Sequence, residues 1–99
     1  MKFDYKLYKI ENEKLLAISD SSIIGKSFQE KEIEIIVSED FYSEKKCDEK
    51  EALLLIKNST IVNAIGKGIV SLMIKEKLVD ENKVLYIESI PHVQIVVMK

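Results

Sequence analysis

The single histidine of the chain, His92, follows its single proline, Pro91, in ESIPHVQIVVM, and the single thiol, Cys47, lies far from both in sequence. An imidazole that titrates near neutrality suits general acid or base work. A Cys/His pair acting by nucleophilic attack would also need a group to orient the base and a site to hold an oxyanion, and no spacing in the chain supplies either. Metal binding fails on inventory: carboxylates scattered as Glu30, Glu32, Glu34, Asp80 and Glu81 do not match zinc or calcium ligand spacings, so neither a metal nor a cofactor is expected. The structural reading of His92 is that Pro91 fixes the backbone where the last strand begins, while the ring packs partly and hydrogen-bonds a backbone group. Catalysis and partner contact stand beside that reading.

The stretch NAIGKGIVS carries more pattern. Asn63, Lys67, Ser71 and Lys75 recur at four-residue steps, one polar stripe on a helix, and Gly66 and Gly68 would thin that helix at a cost of about 1 kcal/mol each relative to Ala. Close packing against the sheet is one reason for glycine there, and close approach of a phosphate backbone or a partner chain is another. GKGI is no phosphate-binding P-loop, since both the required spacing and the preceding strand are missing. IIGKSF puts Lys26 and Phe28 on an expected loop, with Gly25 suited to a left-handed or closely approached backbone. A cation and a ring so placed could touch a phosphate and a base, with Tyr42, Lys45 and Lys46 extending the surface. The alternative for Phe28 is a core plug.

The elements that must position these residues are legible from periodicity. KFDYKLYKI alternates Phe3, Tyr5 and Leu7 against Lys2, Asp4 and Lys6, and KLLAIS follows a polar turn, so the two are expected to pair as a hairpin. EIEIIVS alternates again, with Ile33, Ile35 and Val37 opposite Glu32 and Glu34, as a third strand. Asp48 and Glu51 have the spacing of a capping box and start a short helix ending near KNST. A longer helix is expected after Ser59 or Thr60 as cap, its apolar stripe being Ile61, Ile65, Ile69, Leu72 and Met73. VLYIESI and HVQIVVM are two more strands, with Pro91 at a strand end or edge because it cannot donate to a ladder. The order β-β-β-α-α-β-β implies a two-layer α+β fold, a helix pair covering a mostly antiparallel sheet. Parallel pairing between the two strand groups stays open, since the helices can serve as a crossover.

Composition limits the function classes. A chain of 99 residues with 46% hydrophobic content is expected to form one domain over residues 1–99 and to bury roughly two-thirds of its unfolded surface. Fifteen basic residues against seventeen acidic give a net charge of −2, so any nucleic-acid contact must come from a local patch, and DNA is not expected as a partner. One cysteine, with no apolar leader in MKFDYKLYKI, points to a reducing cytoplasm. The apolar stretch from Thr60 to Val79 is broken by polar residues and is not expected to span a membrane.

IIGKSF, the Phe41-Tyr42 pair, STIVNAIGKGIVSLMI and ESIPHVQIV stand in the order and near the spacing of the motifs of the archaeal small-protein family known as domain of unknown function 424. The chain resembles that family over nearly its whole length. It departs from it at Ser43-Glu44, where glycines are usual, and at Val93, where alanine is common. The resemblance implies a compact cytoplasmic archaeal domain associated with translation-related genes, and it marks Gly25, Lys26, Phe28, Asn63, Gly66, Pro91 and His92 as the residues to test.

The leading expectation is a noncatalytic accessory protein that binds RNA or a ribonucleoprotein, on the ribosome or near a translation factor, through Lys26, Phe28, Asn63, Lys67 and His92. Gly25, Gly66 and Pro91 shape the backbone around that patch. Two alternatives compete: a small enzyme or ligand-binding domain with His92 at a pocket, and a self-associating module pairing through an edge strand. A shared site requires Lys26, Asn63 and His92 to lie on one face.

Overall fold

The computed structural model describes residues 2–97. The expected hairpin forms from β1 (Phe3–Ile10) and β2 (Glu13–Asp20), in a register running from Phe3 opposite Asp20 to Ile10 opposite Glu13. A 3-10 turn at Ser21–Ile23 follows, then a second hairpin of β3 (Ser27–Glu30) and β4 (Ile33–Ile36). A single-turn helix α1 (Glu39–Tyr42) and strand β5 (Lys45–Cys47) lead into α2 (Glu49–Lys57). Strand β6 (Ile61–Ile65), helix α3 (Lys67–Lys75), β7 (Leu85–Ile87) and β8 (Ile90–Val96) complete the chain.

Six strands form one sheet in the order β5-β1-β2-β6-β8-β7, antiparallel throughout except for the parallel pair β2 and β6. The α+β class and the mostly antiparallel sheet are therefore as the sequence indicates; the two strand groups do not pair with each other, and the one parallel pairing is that of β2 with β6, a segment expected to be helical. One face of the sheet, through Phe3, Tyr5, Leu16, Ile18, Val62, Ala64 and Val93, packs on Ala52 and Ile56 of α2 and Ile69, Val70, Leu72 and Met73 of α3. The opposite face is not bare. Ala17 and Ile65 pack there beneath Ile23, Val37, Tyr42, Phe28 and Ile35, which come from the 3-10 turn, the second hairpin with the residue that follows it, and α1.

Three local expectations are corrected. EIEIIVS does form a strand, but it pairs only with β3 in a separate two-stranded sheet, and IIGKSF, expected as a loop, gives β3 its first residues. The helix expected to begin at Ser59 or Thr60 is instead a strand, a sharp turn and a shorter helix. Ile61, Ile65 and Ile69 mimic a helical stripe because β6 is a central strand packed on both faces, which reads as a near-continuous apolar run. Ser59 Oγ donates back to Leu55 O at 2.7 Å and closes α2. Thr60 joins the sheet, its N–H bonding Lys14 O at 2.9 Å while its own carbonyl takes Val97 N–H at 2.8 Å.

Gly66 makes the turn from β6 into α3 with φ of +125°. A Cβ there would stand 2.5 Å from Asp20 Cγ, because the Asp20 carboxylate reaches from the end of β2 to cap α3, accepting from Gly68 N and Ile69 N at 2.8 Å each. The close approach that demands glycine is thus an internal carboxylate. It fills the place at the helix N-terminus where an anion would otherwise be held. Pro91 is the second residue of β8, near a strand end as expected, although β8 lies inside the sheet. Its missing N–H would have faced Gly66 O, and that carbonyl is taken instead by Val70 N at 3.1 Å, while Pro91 O still accepts from Gly66 N at 3.0 Å. The first turn of α3 thus replaces the ladder bond that Pro91 cannot make.

Candidate functional site

Alternation along the strands places Asn63 and His92 on the sheet face away from α2 and α3. Asn63 sits in a cross-strand row with Ala17 and Gln94, and His92 in the next row with Ile65 and Leu85. Their meeting is direct: His92 Nε2 lies 3.0 Å from Asn63 Oδ1. The same oxygen accepts from the Tyr42 hydroxyl at 2.8 Å.

Tyr42 arrives from α1, which at four residues is too short to hold itself and is pinned from outside. Ser38 Oγ accepts from Phe41 N at 3.3 Å as an N-cap, Tyr8 of β1 stacks on Phe41 with centroids 5.3 Å apart, and Tyr8 Oη donates to Phe41 O at 2.8 Å. These contacts drive Tyr42 inward, where it is 4% exposed. Burial, reinforced by neighbouring Tyr8, pushes its hydroxyl up to about 12, so it is a proton-bearing donor near neutral pH.

The hydroxyl proton of a buried tyrosine needs an acceptor, which fixes the Asn63 amide with Oδ1 toward Tyr42. An oxygen at that position can bond His92 only if Nε2 carries the proton. Burial also lowers the His92 pKa below its ordinary 6.5, so the ring is neutral near physiological pH and Nδ1 keeps its lone pair. Neither Asn63 Nδ2 nor His92 Nδ1 has a partner among the described residues, and neither is sealed from solvent. The expectation that His92 bonds a backbone group is corrected: its partner is a side chain one strand away.

The other expected site residues divide. Phe28 is half-buried and packs in the cluster that includes Tyr42 and Ile65, so it is a plug on the same side of the sheet as His92. Lys26 is exposed, held by its backbone through Lys26 N to Ile23 O at 3.1 Å and Val37 N to Lys26 O at 2.8 Å. Gly25, at φ of +86° and with open space for 4 Å around the position a Cβ would take, is required by conformation alone. Lys67 belongs to α3 on the opposite side of the sheet, in an open groove of about 380 Å³ with Glu49, Gly68, Ser71, Leu72 and Lys75. The stripe from Asn63 to Lys75 is therefore broken, with Lys67, Ser71 and Lys75 retained on α3 and Asn63 lost to β6.

Two constellations lose their chemistry. Cys47 is buried on the helix-covered face, where burial first and then Glu51, Asp48 and Asp4 push its thiol up to about 11, and it shares no surface with His92. Among the described residues no three His, Cys, Asp or Glu side chains gather as a metal-holding group. The groove along α3, a second one of about 260 Å³ between the end of α2 and β8, and a third beside Tyr8 and Lys14 all lack His92 in their walls. No helix among the described residues is long and apolar enough to cross a membrane. The sheet edges β5 and β7 are three residues each, the short edges that discourage strand pairing between molecules.

Comparison with known proteins agrees with this picture of the fold. The family model described as "Protein of unknown function (DUF424)" matches residues 8–98. The crystal structure of an uncharacterized conserved protein from Methanopyrus kandleri superposes with a TM-score of 0.76 at 22% identity, covering 99% of this chain and 93% of that one. At that identity the likeness concerns the fold. No curated protein matches the chain at a significant level.

Proposed function

We propose, from the premise that this chain belongs to the DUF424 family of proteins of unknown function, that it is a noncatalytic accessory module binding a ribonucleoprotein. The contact surface is the open part of the sheet face around Asn63 and His92. One observation carries this reading: a buried tyrosine and a cross-strand histidine converge on one amide oxygen and leave two solvent-reachable polar atoms without a partner among the described residues. A group prepared in this way, without a nucleophile or an oxyanion site beside it, suits recognition better than catalysis.

The surroundings favour a macromolecular partner touched mainly through protein. Leu15 and Ile61 are half-buried and Val96 exposed on the same face, giving an apolar strip beside the polar pair, with the exposed amide of Gln94 opposite Asn63. Exposed Lys26 offers a local cation, but a net charge of −2 gives no general attraction to phosphate. The ribosome and a translation factor are the partner classes carried forward. Affinity purification of the tagged full chain from its native host, with mass spectrometry and RNA sequencing of the eluate, tests this. Enrichment of ribosomal proteins and ribosomal RNA is expected, and an eluate lacking both would overturn the reading.

A further inference from the structure

The hydrogen-bond polarity of the Tyr42, Asn63 and His92 relay specifies what the open face can receive. With Nε2–H committed to Asn63, His92 Nδ1 is an acceptor. With Oδ1 doubly engaged, Asn63 has only its Nδ2 protons left to offer. The site therefore presents one acceptor and one donor, both uncharged.

Its neighbours argue against a nucleic-acid ligand at this spot. Lys6 and Lys46 are the strand lysines that alternation places on this face, and both are engaged: Lys6 Nζ donates to Asp40 O at 3.2 Å, and Lys46 pairs with Asp4 at 2.9 Å. Phe28, Phe41 and Tyr8 are half-buried and Tyr42 is buried, while Tyr86, opposite Pro91, points to the other side of the sheet. A base would find no fully exposed stacking ring here, and of a phosphate clamp only the single exposed cation of Lys26. Val96 at 69% exposure and Leu85 at 49% flank the polar pair and suit a protein surface.

We infer that His92 Nδ1 and Asn63 Nδ2 recognise an amide group, main-chain or Asn/Gln side-chain, of a protein partner. The inference rests on the binding function proposed above and names the protein component as what this site touches. Tyr42 is a positioning residue, acting through the orientation of Asn63.

The test has two arms. In the first, the full chain carrying 15N-histidine is titrated separately with N-methylacetamide, adenosine and inorganic phosphate, and the His92 Nδ1 and Nε2 resonances are followed. N-methylacetamide is expected to shift Nδ1 saturably. Asn63→Asp, which keeps acceptors for Tyr42 and His92 but removes the donor and favours the imidazolium, is expected to weaken that response at least tenfold. An Nδ1 signal unmoved by N-methylacetamide, or moved more by adenosine or phosphate, would overturn the inference. Tyr42→Phe should give a mixed tautomer signature, an effect that loss of packing alone would not produce.

In the second arm, nuclease-treated native-host extract is passed over wild type, Asn63→Asp and His92→Ala, the last keeping the Tyr42 to Asn63 bond if the aspartate variant folds poorly. A protein captured by wild type should fall at least tenfold with both variants. Wild type capturing no protein defeats the proposed function, and the first arm then still decides the chemistry of the site. Capture retained by folded variants defeats this inference alone.

Discussion

Asn63 of β6 and His92 of β8 are bonded across adjacent strands, Oδ1 to Nε2 at 3.0 Å, although they are not direct partners in the ladder: Asn63 pairs with Gln94, and His92 with Ile65. The bond runs diagonally between two rows, and Tyr42 anchors it from the layer above. Its consequences can be measured with or without a known partner.

His92 is expected to titrate below 6.5 and to show the Nε2–H tautomer by 15N NMR. A histidine whose folded pKa is depressed contributes stability that is present above 6.5 and lost as pH falls through the folded value, because the unfolded chain binds the proton first. A titration midpoint at or above 6.5 would contradict the burial that keeps the ring neutral.

Asn63→Ala removes the acceptor of a tyrosine that is 4% exposed. Leaving that hydroxyl unpaired should cost about 1–3 kcal/mol in denaturant unfolding. Asn63→Asp should cost less, since both donors keep an oxygen to bond. Equal losses in the two variants would mean that the acceptor is not what matters.

Gly66→Ala should be among the most damaging small substitutions in the chain. The backbone at φ of +125° costs about 1–3 kcal/mol for a residue with a Cβ, and that Cβ would displace the Asp20 carboxylate from 2.5 Å away. Asp20→Ala alone should cost about 1 kcal/mol as a lost cap. The double variant is expected to fall short of the sum, because the clash disappears with the carboxylate while the backbone strain remains. Strict additivity in thermal melts would show that the two positions are uncoupled.

Asp4 is 3% exposed and ties three segments together, accepting from Ser21, Ser43 and Lys46. Burial pushes its carboxyl up, but the bonds from Ser21, Ser43 and Lys46 and the Lys46 charge together outweigh it, and the net shift is below 3.8. A carboxylate with a depressed folded pKa gives stability that is present above the unfolded value and lost as pH falls through the folded one. Asp4→Asn should flatten that acid limb of the stability curve. An unchanged limb would place the acid sensitivity elsewhere.

The sequence disclosed the first hairpin, the Asp48 cap on α2, whose Oδ1 accepts from Glu51 N at 2.9 Å, and the strand character of the C-terminal segment, because each rests on contacts close in sequence. It misled at Ile61–Ile65, where burial on both faces erased the period that separates strand from helix. That one error moved Asn63 onto the wrong element and hid its neighbours. Asn63 and His92 were both visible as candidates, but Tyr42 is 21 positions from Asn63 and reads from sequence as a surface aromatic. Asp20 as the distant cap of α3 had no local signal at all, since it acts 48 residues away from Gly68.

The parallel pairing of β2 with β6 sets a kinetic order on assembly. Leu15 opposite Ile61 joins positions 46 apart in sequence, whereas the hairpin β1 to β2 closes over Glu11 and Asn12 alone. Loop-closure entropy makes the second event early and the first late. During synthesis the N-terminal hairpin can form while β6 and β8 are still unmade, leaving the β2 edge open until the crossover arrives. Asn63 and His92 become neighbours only once β8 has been made and has paired with β6, so the surface they form cannot precede synthesis of the C-terminal strand.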